Sequence, residues 1–339
     1  MTQMGQWMRG GVAVACAMVL AACGGGDDDG GGSKSLGPSF TSDPAKVTPV
    51  RAVAEQAYAM ELDGNGQYLP SQEFYAFNSH ECTQTGQKGA AVWETPNVVV
   101  YNNGTATEEQ AQKIAQYAEA SVLSLRDRYG ITPANGLGFD GQKVRVCTGV
   151  GGNNNYSGSA GIRTQYIVAP NGGSTTGTMV FHEMVHTVQA QALNCQKDQY
   201  LWERWLTEGM ALAVAGQDGV SKKQLGSLKK AFQDASGATP FGDMSQRENP
   251  RNDRYPGYRL AVETLLSETG KNDKDLYAFL KQIGDTQGCP GTDAYSQNNW
   301  QDLLQQGWKV EFDNYFGVDL RGQGVAGSDF WAAAERYLD

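Results

Sequence analysis

The feature that most constrains the fold of this 339-residue chain is the stretch MVFHEMVHTVQ, which runs from Met179 to Gln189. His182 and His186 are four residues apart, and side chains at that spacing lie one above the other on one face of a helix. Apolar residues at helical spacing form a stripe along the same segment: Phe181, Val185, Val188 and Ala192. We therefore expect a helix that packs this stripe into the body of the protein and turns both imidazoles toward a cleft.

Glu183 stands beside the first histidine and completes the pattern HExxH. In this arrangement two imidazoles bind zinc and the glutamate serves as a general base. On a helix Glu183 is rotated by about 100° from His182, which puts its carboxylate beside the metal rather than on it. The pattern predicts Zn2+ as the cofactor, His182 and His186 as ligands, and Glu183 as the catalytic base. A surface helix with incidental polar residues is the alternative, but it leaves the apolar residues on both sides unexplained.

A hydrolytic zinc site needs a third protein ligand, because such sites take three and keep the fourth position for water. Glu208, in the segment WLTEG, follows His186 by 22 residues (208 − 186 = 22). A helix, a loop at 194–197 and a second helix separate the two, and this geometry can bring Glu208 opposite the histidines. His80 and Glu203 are rival candidates, but neither lies in a segment whose pattern buries it beside a helix.

The pattern along the rest of the chain predicts an α+β fold, with a small mixed β-sheet and long helices followed by a mostly helical C-terminal half. A β-branched strand over 98–101 precedes a long helix that begins at Thr107 and ends before Gly130. The glycine-rich stretches 149–161 and 171–177 are predicted to be mobile loops. Further elements are expected as follows: strands within 142–150 and 162–170, helices over 204–215, 255–269 and 275–283, and a helix at the C-terminus.

The N-terminus predicts export. Arg9 precedes the apolar run GVAVACAMVLAA, which is long enough for a signal peptide but too short to span a bilayer. The run ends in LAAC, which resembles the lipobox of bacterial lipoproteins and implies cleavage before Cys23 and lipidation of its sulfur. In such proteins an aspartate after the cysteine favours the inner membrane; Gly24 stands there, so the outer membrane of the cell envelope is expected. An ordinary secretory signal is the alternative, and it too exports the protein.

The expected organisation is a signal peptide at 1–22, a flexible glycine and aspartate-rich linker at 23–45, and one domain at 46–339, with 46–96 as an N-terminal extension. Four cysteines remain beyond the signal, and in an exported protein they suggest two disulfides with open connectivity: Cys82, Cys147, Cys195 and Cys289. The net charge of −10 argues against a nucleic-acid partner, which would need a basic patch.

HExxH followed by W-L-x-E-G-x-A resembles the gluzincin metalloproteases, and the strands and helix before it resemble the compact members called minigluzincins or peptidase MA-like. The likeness covers roughly 97–339. It implies a zincin-like active-site helix and zinc held by His182, His186 and Glu208, with Glu183 as base. It also implies a tyrosine that stabilises the oxyanion, with Tyr255 the better match and Tyr258 the second choice.

The sequence differs from these metalloproteases in two places, and these differences limit what the resemblance implies. Leu212 stands where the thermolysin-like branch has an aspartate that orients a histidine, so the partner of that histidine is not identified. The G-x-M-E-N motif that holds a substrate amine in aminopeptidases is also absent. The expected function is therefore an envelope-anchored zinc metallopeptidase that cuts peptides or proteins internally. A catalytically silent surface lipoprotein that binds a partner is the alternative, but such a protein has no use for the base Glu183.

Overall fold

A computed structural model describes ten segments of the chain: 90–102, 106–148, 156–159, 165–168, 176–193, 204–236, 239–242, 254–286, 308–318 and 329–339. The predicted signal peptide, the linker, Cys23 and most of the predicted N-terminal extension lie outside these residues. The predictions made for them stay predictions.

The β-sheet has five strands: β1 (Ala90–Glu94), β2 (Val98–Asn102), β3 (Val144–Thr148), β4 (Tyr156–Ser159) and β5 (Gln165–Val168). Their spatial order is β1-β2-β3-β5-β4. The three central strands β2, β3 and β5 run parallel, while β1 and β4 pair antiparallel at the two edges. The sheet is therefore small and mixed, as the sequence predicted.

Eight helices accompany the sheet in the described part of the chain. They are α1 (Glu108–Tyr129), α2 (Thr176–Ala192), α3 (Arg204–Ala215), α4 (Lys222–Ser236), α5 (Tyr255–Thr269), α6 (Asp273–Thr286), α7 (Trp308–Phe316) and α8 (Phe330–Leu338). Five of the eight follow α2 and α3, and no described strand lies between them. The predicted helical C-terminal half is confirmed.

Helix α1 begins and ends where its sequence indicates. The Thr107 hydroxyl accepts a hydrogen bond from the Gln110 backbone N–H at 3.2 Å, and the Gln110 side chain accepts one from the Thr107 N–H at 2.8 Å. This reciprocal capping satisfies two backbone donors that the first helical turn leaves unpaired. Gly130 ends the helix in the left-handed conformation, with φ of 65°.

Three elements differ from the sequence-based expectation. Strand β4 lies inside the stretch 149–161, so the prediction of a loop is wrong for residues 156–159. Strand β1 lies at the end of the predicted N-terminal extension and pairs with β2, so those residues belong to the sheet. Helix α4 was not predicted, although Leu225, Leu228 and Phe232 form its buried face.

Helix α2 is central to the packing of the domain. It contacts α1, α3 and α6 as well as strands β4 and β5. Its predicted apolar stripe is buried throughout, from Phe181 to Ala192. Among the described helices, none combines the length and apolar character needed to cross a membrane.

Candidate metal centre

Helix α2 brings its two histidines together in the protein interior. The exposed fraction is 8% for His182 and 4% for His186, and the two rings meet edge to face. Their Nε2 atoms lie 3.1 Å apart. The predicted spacing on one helix face is confirmed, because both imidazoles present the same nitrogen to the same point.

Helix α3 supplies the third side chain. One carboxylate oxygen of Glu208, Oε2, lies 3.3 Å from Nε2 of His182 and 3.4 Å from Nε2 of His186. The next residue, Gly209, lies directly against helix α5: a Cβ atom at this position would come within 2.3 Å of the Tyr258 carbonyl oxygen. Because Gly209 has no side chain, α3 and α5 can approach closely. This contact fixes the position of the neighbouring Glu208 relative to α5.

The three ligand atoms form a nearly equilateral triangle with edges of 3.1, 3.3 and 3.4 Å. Tetrahedral zinc lies about 2.0–2.1 Å from histidine nitrogen and carboxylate oxygen, which separates neighbouring ligand atoms by about 3.3 Å. Both the donor set and its dimensions therefore fit a zinc ion. No other group of three or more metal-ligating side chains occurs in the described segments.

The electrostatics of the cluster also favour a cation. Burial by itself lowers the pKa of His186, but the charge of Glu208 outweighs it and raises the pKa to about 9. Burial likewise raises the pKa of Glu208, yet the neighbouring histidines hold it well below its usual range. A buried carboxylate stays ionised beside a positive partner; without a metal that partner is a protonated His186, and a metal cation would take its place.

Gln189, one helical turn beyond His186, is a site residue that the sequence analysis missed. Its Oε1 lies 2.8 Å from Nδ1 of His186. Its Nε2 donates a hydrogen bond to the Thr207 carbonyl oxygen at 2.9 Å. The spacing of three residues from His186 on the helix is the signal that could have identified it.

The other histidine has a different environment. Nδ1 of His182 is buried and has no hydrogen-bond partner in the described part of the chain. Asp218, just after helix α3, lies close enough for its charge to interact with His182 and Arg259. Burial nevertheless raises the pKa of the Asp218 carboxyl. Asp218 also adopts a left-handed backbone conformation, with φ of 53°, that is uncommon for a residue with a side chain.

The predicted base and oxyanion donors can be placed as follows. Glu183 is buried beside the first ligand on α2. Tyr258 is 1% exposed, and its ring lies edge to face with those of Phe232 and Tyr255. Tyr255, at the start of α5, is only partly buried. Because a residue that contacts substrate needs an accessible side chain, Tyr255 remains the better candidate of the two tyrosines.

Several predicted residues lie outside the described part of the chain. The rival ligands His80 and Glu203 are among them, as are Cys82, Cys195 and Cys289. Cys147 lies on strand β3, where its backbone pairs with Tyr101 of β2 and with Val168 of β5. The disulfide prediction therefore stays a prediction.

No protein-family model matches the chain, and no significant match was found among curated proteins. The assignment of the site therefore rests on its residues and their geometry. That geometry is a buried His-His-Glu cluster of the kind that HExxH zinc proteins use.

Proposed function

We propose that the protein is a zinc-dependent metallopeptidase, and more specifically an endopeptidase. The observation that carries the proposal is the triangle of two imidazole nitrogens and one carboxylate oxygen, with edges of 3.1–3.4 Å. The buried Glu183 follows His182 directly on α2, and its charge acts on His186. Two histidines and a glutamate are the ligand set of one class of catalytic zinc sites. A structural zinc site uses four protein ligands, and the described cluster has three.

Each residue has a separate task in this proposal. His182, His186 and Glu208 hold the metal. Bound zinc would supply Lewis-acid polarisation of the scissile carbonyl and lower the pKa of water toward 7. Glu183 accepts a proton from the attacking water and passes it to the leaving amine. Tyr255 donates a hydrogen bond to the oxyanion that develops in the transition state.

The sheet supports a peptide as the substrate. Strand β4 is the outermost of the described strands on its side and contacts helix α2, which carries the metal ligands. Its backbone pairs with β5 along one edge, and no other described strand pairs with its opposite edge, whose N–H and C=O groups would suit pairing with an extended chain. The absence of an amine-holding G-x-M-E-N motif favours cleavage within a chain over stepwise removal of N-terminal residues.

The proposal is tested by incubating the purified protein with denatured proteins and a peptide library. We expect internal cleavage that a chelator abolishes and that added zinc restores. Cleavage that a chelator does not inhibit would contradict it. A protein that holds zinc but cleaves no member of a broad library would favour the alternative, a lipoprotein that uses the same fold to bind a partner.

We further propose that the enzyme is anchored to the bacterial cell envelope by lipid on Cys23. The support is the sequence LAAC that ends the apolar N-terminal run, followed by the linker of 23–45. Two or more acyl chains give stable anchoring, where a single chain is marginal. Replacing Cys23 with serine should move the protein from the membrane pellet to the supernatant, and retention of this variant in the pellet would contradict the anchor.

A further inference from the structure

We infer that Gln189 is a positioning residue of the metal centre: its amide keeps a hydrogen on Nδ1 of His186 and couples that ligand to the backbone beside Glu208. This inference rests on the metal binding in the proposed function but not on peptide hydrolysis. Its evidence is the pair of hydrogen bonds that the buried Gln189 side chain makes, one to His186 within helix α2 and one to Thr207 on helix α3.

The orientation of the Gln189 amide follows from its partners. A carbonyl oxygen can only accept a hydrogen bond, so the atom that lies 2.9 Å from the Thr207 carbonyl oxygen must be the amide nitrogen. Turning the amide by 180° would place two oxygens opposite each other at that distance. The Thr207 carbonyl therefore fixes Oε1 on the side of His186.

The amide orientation in turn fixes the hydrogen of His186. Oε1 of Gln189 is an acceptor, and it lies 2.8 Å from Nδ1 of the imidazole. Nδ1 must therefore carry a hydrogen and donate it, because two lone pairs would otherwise face each other. In the neutral ring this leaves the lone pair on Nε2, the atom that points at His182 and Glu208. Gln189 thus leaves Nε2 as the nitrogen of His186 that can bind a metal.

The same side chain joins the two ligand helices. Gln189 belongs to α2, which carries both histidines, whereas Thr207 immediately precedes Glu208 on α3. A displacement of α3 away from α2 would break the bond to Thr207 and release the amide from its fixed orientation. Gln189 therefore links the position of the third ligand to the orientation of the second.

Gln191 provides a matched control on the same helix. Its Nε2 donates to the Phe139 carbonyl oxygen at 2.6 Å, and the side chain is partly buried. Like Gln189, it ties α2 to a backbone carbonyl elsewhere in the fold. Its described hydrogen bond does not involve a histidine, so its replacement removes a glutamine bond of α2 without removing a bond to a metal ligand.

The experiment compares zinc affinity in the wild-type protein, Gln189→Met and Gln191→Met, using competition with a chelator of known affinity. Methionine has a similar volume to glutamine and cannot replace the two hydrogen bonds. We expect Gln189→Met to bind zinc about 10- to 100-fold more weakly, the usual effect of losing a partner that orients a ligand. Gln191→Met should bind zinc within about 2-fold of the wild type, even where its thermal stability falls.

A second measurement needs no variant. The sequence contains three histidines, so the imidazole nitrogens of the full chain give a simple NMR spectrum after 15N labelling. Both with and without zinc, His186 should show a protonated Nδ1 whose hydrogen exchanges slowly with solvent. This signal keeps the inference testable if Gln189→Met does not fold.

The outcomes separate this inference from the proposed function. If wild type binds zinc and a folded Gln189→Met variant binds it equally tightly, the role of Gln189 is contradicted and the metal site stands. A bare Nδ1 on His186 in the wild-type spectrum would contradict it as well. If wild type binds no zinc, the proposed function itself fails. If zinc affinity falls equally in Gln189→Met and Gln191→Met, Gln189 has only a general structural role, and the inference is also overturned.

Discussion

Nε2 of His182 and Nε2 of His186 face each other at 3.1 Å in the interior of the domain. Two bare lone pairs at that distance repel, so the pair requires a proton or a metal ion between them. The hydrogen bond from Nδ1 of His186 to Gln189 directs the Nε2 lone pair toward this point. The ionised carboxylate of Glu208 completes a site that a divalent cation can fill.

The first prediction concerns metal content. Purified wild-type protein should contain about one zinc ion per chain, and His186→Ala should lose it, because each imidazole contributes one of the three ligands. His80→Ala is the matched control, since it removes the chain's only other histidine, and it should retain the metal. Elemental analysis decides. Full zinc content in His186→Ala, or no zinc in well-folded wild type, would contradict the assignment of the zinc site.

The third ligand can be tested in the same way. Glu208→Gln removes the charge that lies 3.3 and 3.4 Å from the two histidines, so zinc affinity should fall strongly. Glu203→Gln, five residues earlier, removes the rival candidate and should leave the affinity unchanged. Titration against a competing chelator measures both variants. Loss of affinity in Glu203→Gln alone would transfer the ligand role to that residue.

The close contact between α3 and α5 gives a stability prediction. In Gly209→Ala the new Cβ would lie 2.3 Å from the Tyr258 carbonyl oxygen, so the two helices must move apart. We expect the free energy of unfolding to fall by about 1–3 kcal/mol, as for other overpacked cores. Chemical denaturation of the metal-free protein measures this effect without a contribution from bound zinc.

Gly226→Ala is the control for that substitution. Gly226 is exposed in helix α4, and a Cβ there meets nothing within 4 Å. Alanine should therefore stabilise the helix by about 0.5–1 kcal/mol. A Gly209→Ala variant as stable as the wild type would show that the helix contact is not as close as described.

Residues that follow a local period were predictable from the sequence. Helical spacing placed both histidines on one face of α2 and identified its apolar stripe. The segment WLTEG then singled out Glu208, because a helix, a loop and a second helix after His186 can bring this acid opposite the histidines. These inferences need only the geometry of one helix and the ligand rules for zinc.

Long-range partners were not predictable. Gln189 meets the Thr207 carbonyl only because α3 packs against α2, and no local pattern reports that contact. Strand β4 has the sequence YSGS, whose glycine and serines disfavour a strand, and it forms through pairing with β5. Both features depend on tertiary contacts, so the sequence alone pointed to a loop at β4 and did not identify a partner for a zinc-binding histidine.

The oxyanion role of Tyr255 predicts a purely kinetic effect. Tyr255→Phe removes the phenol hydroxyl but keeps the ring that packs on the core. The value of kcat should fall by about 10²- to 10³-fold, as for other oxyanion donors, while zinc content and thermal stability stay near those of wild type. A fall of that size in Tyr258→Phe, with Tyr255→Phe fully active, would move the role to Tyr258.

Glu183→Gln tests the central claim most directly. The amide keeps the size of the side chain and removes its ability to accept a proton, and Glu183 is not one of the three metal ligands. The variant should therefore fold and bind one zinc ion like the wild type, while cleavage of a peptide library falls by about 10²- to 10⁴-fold. Cleavage at the wild-type rate by a zinc-loaded Glu183→Gln protein would contradict the proposed mechanism.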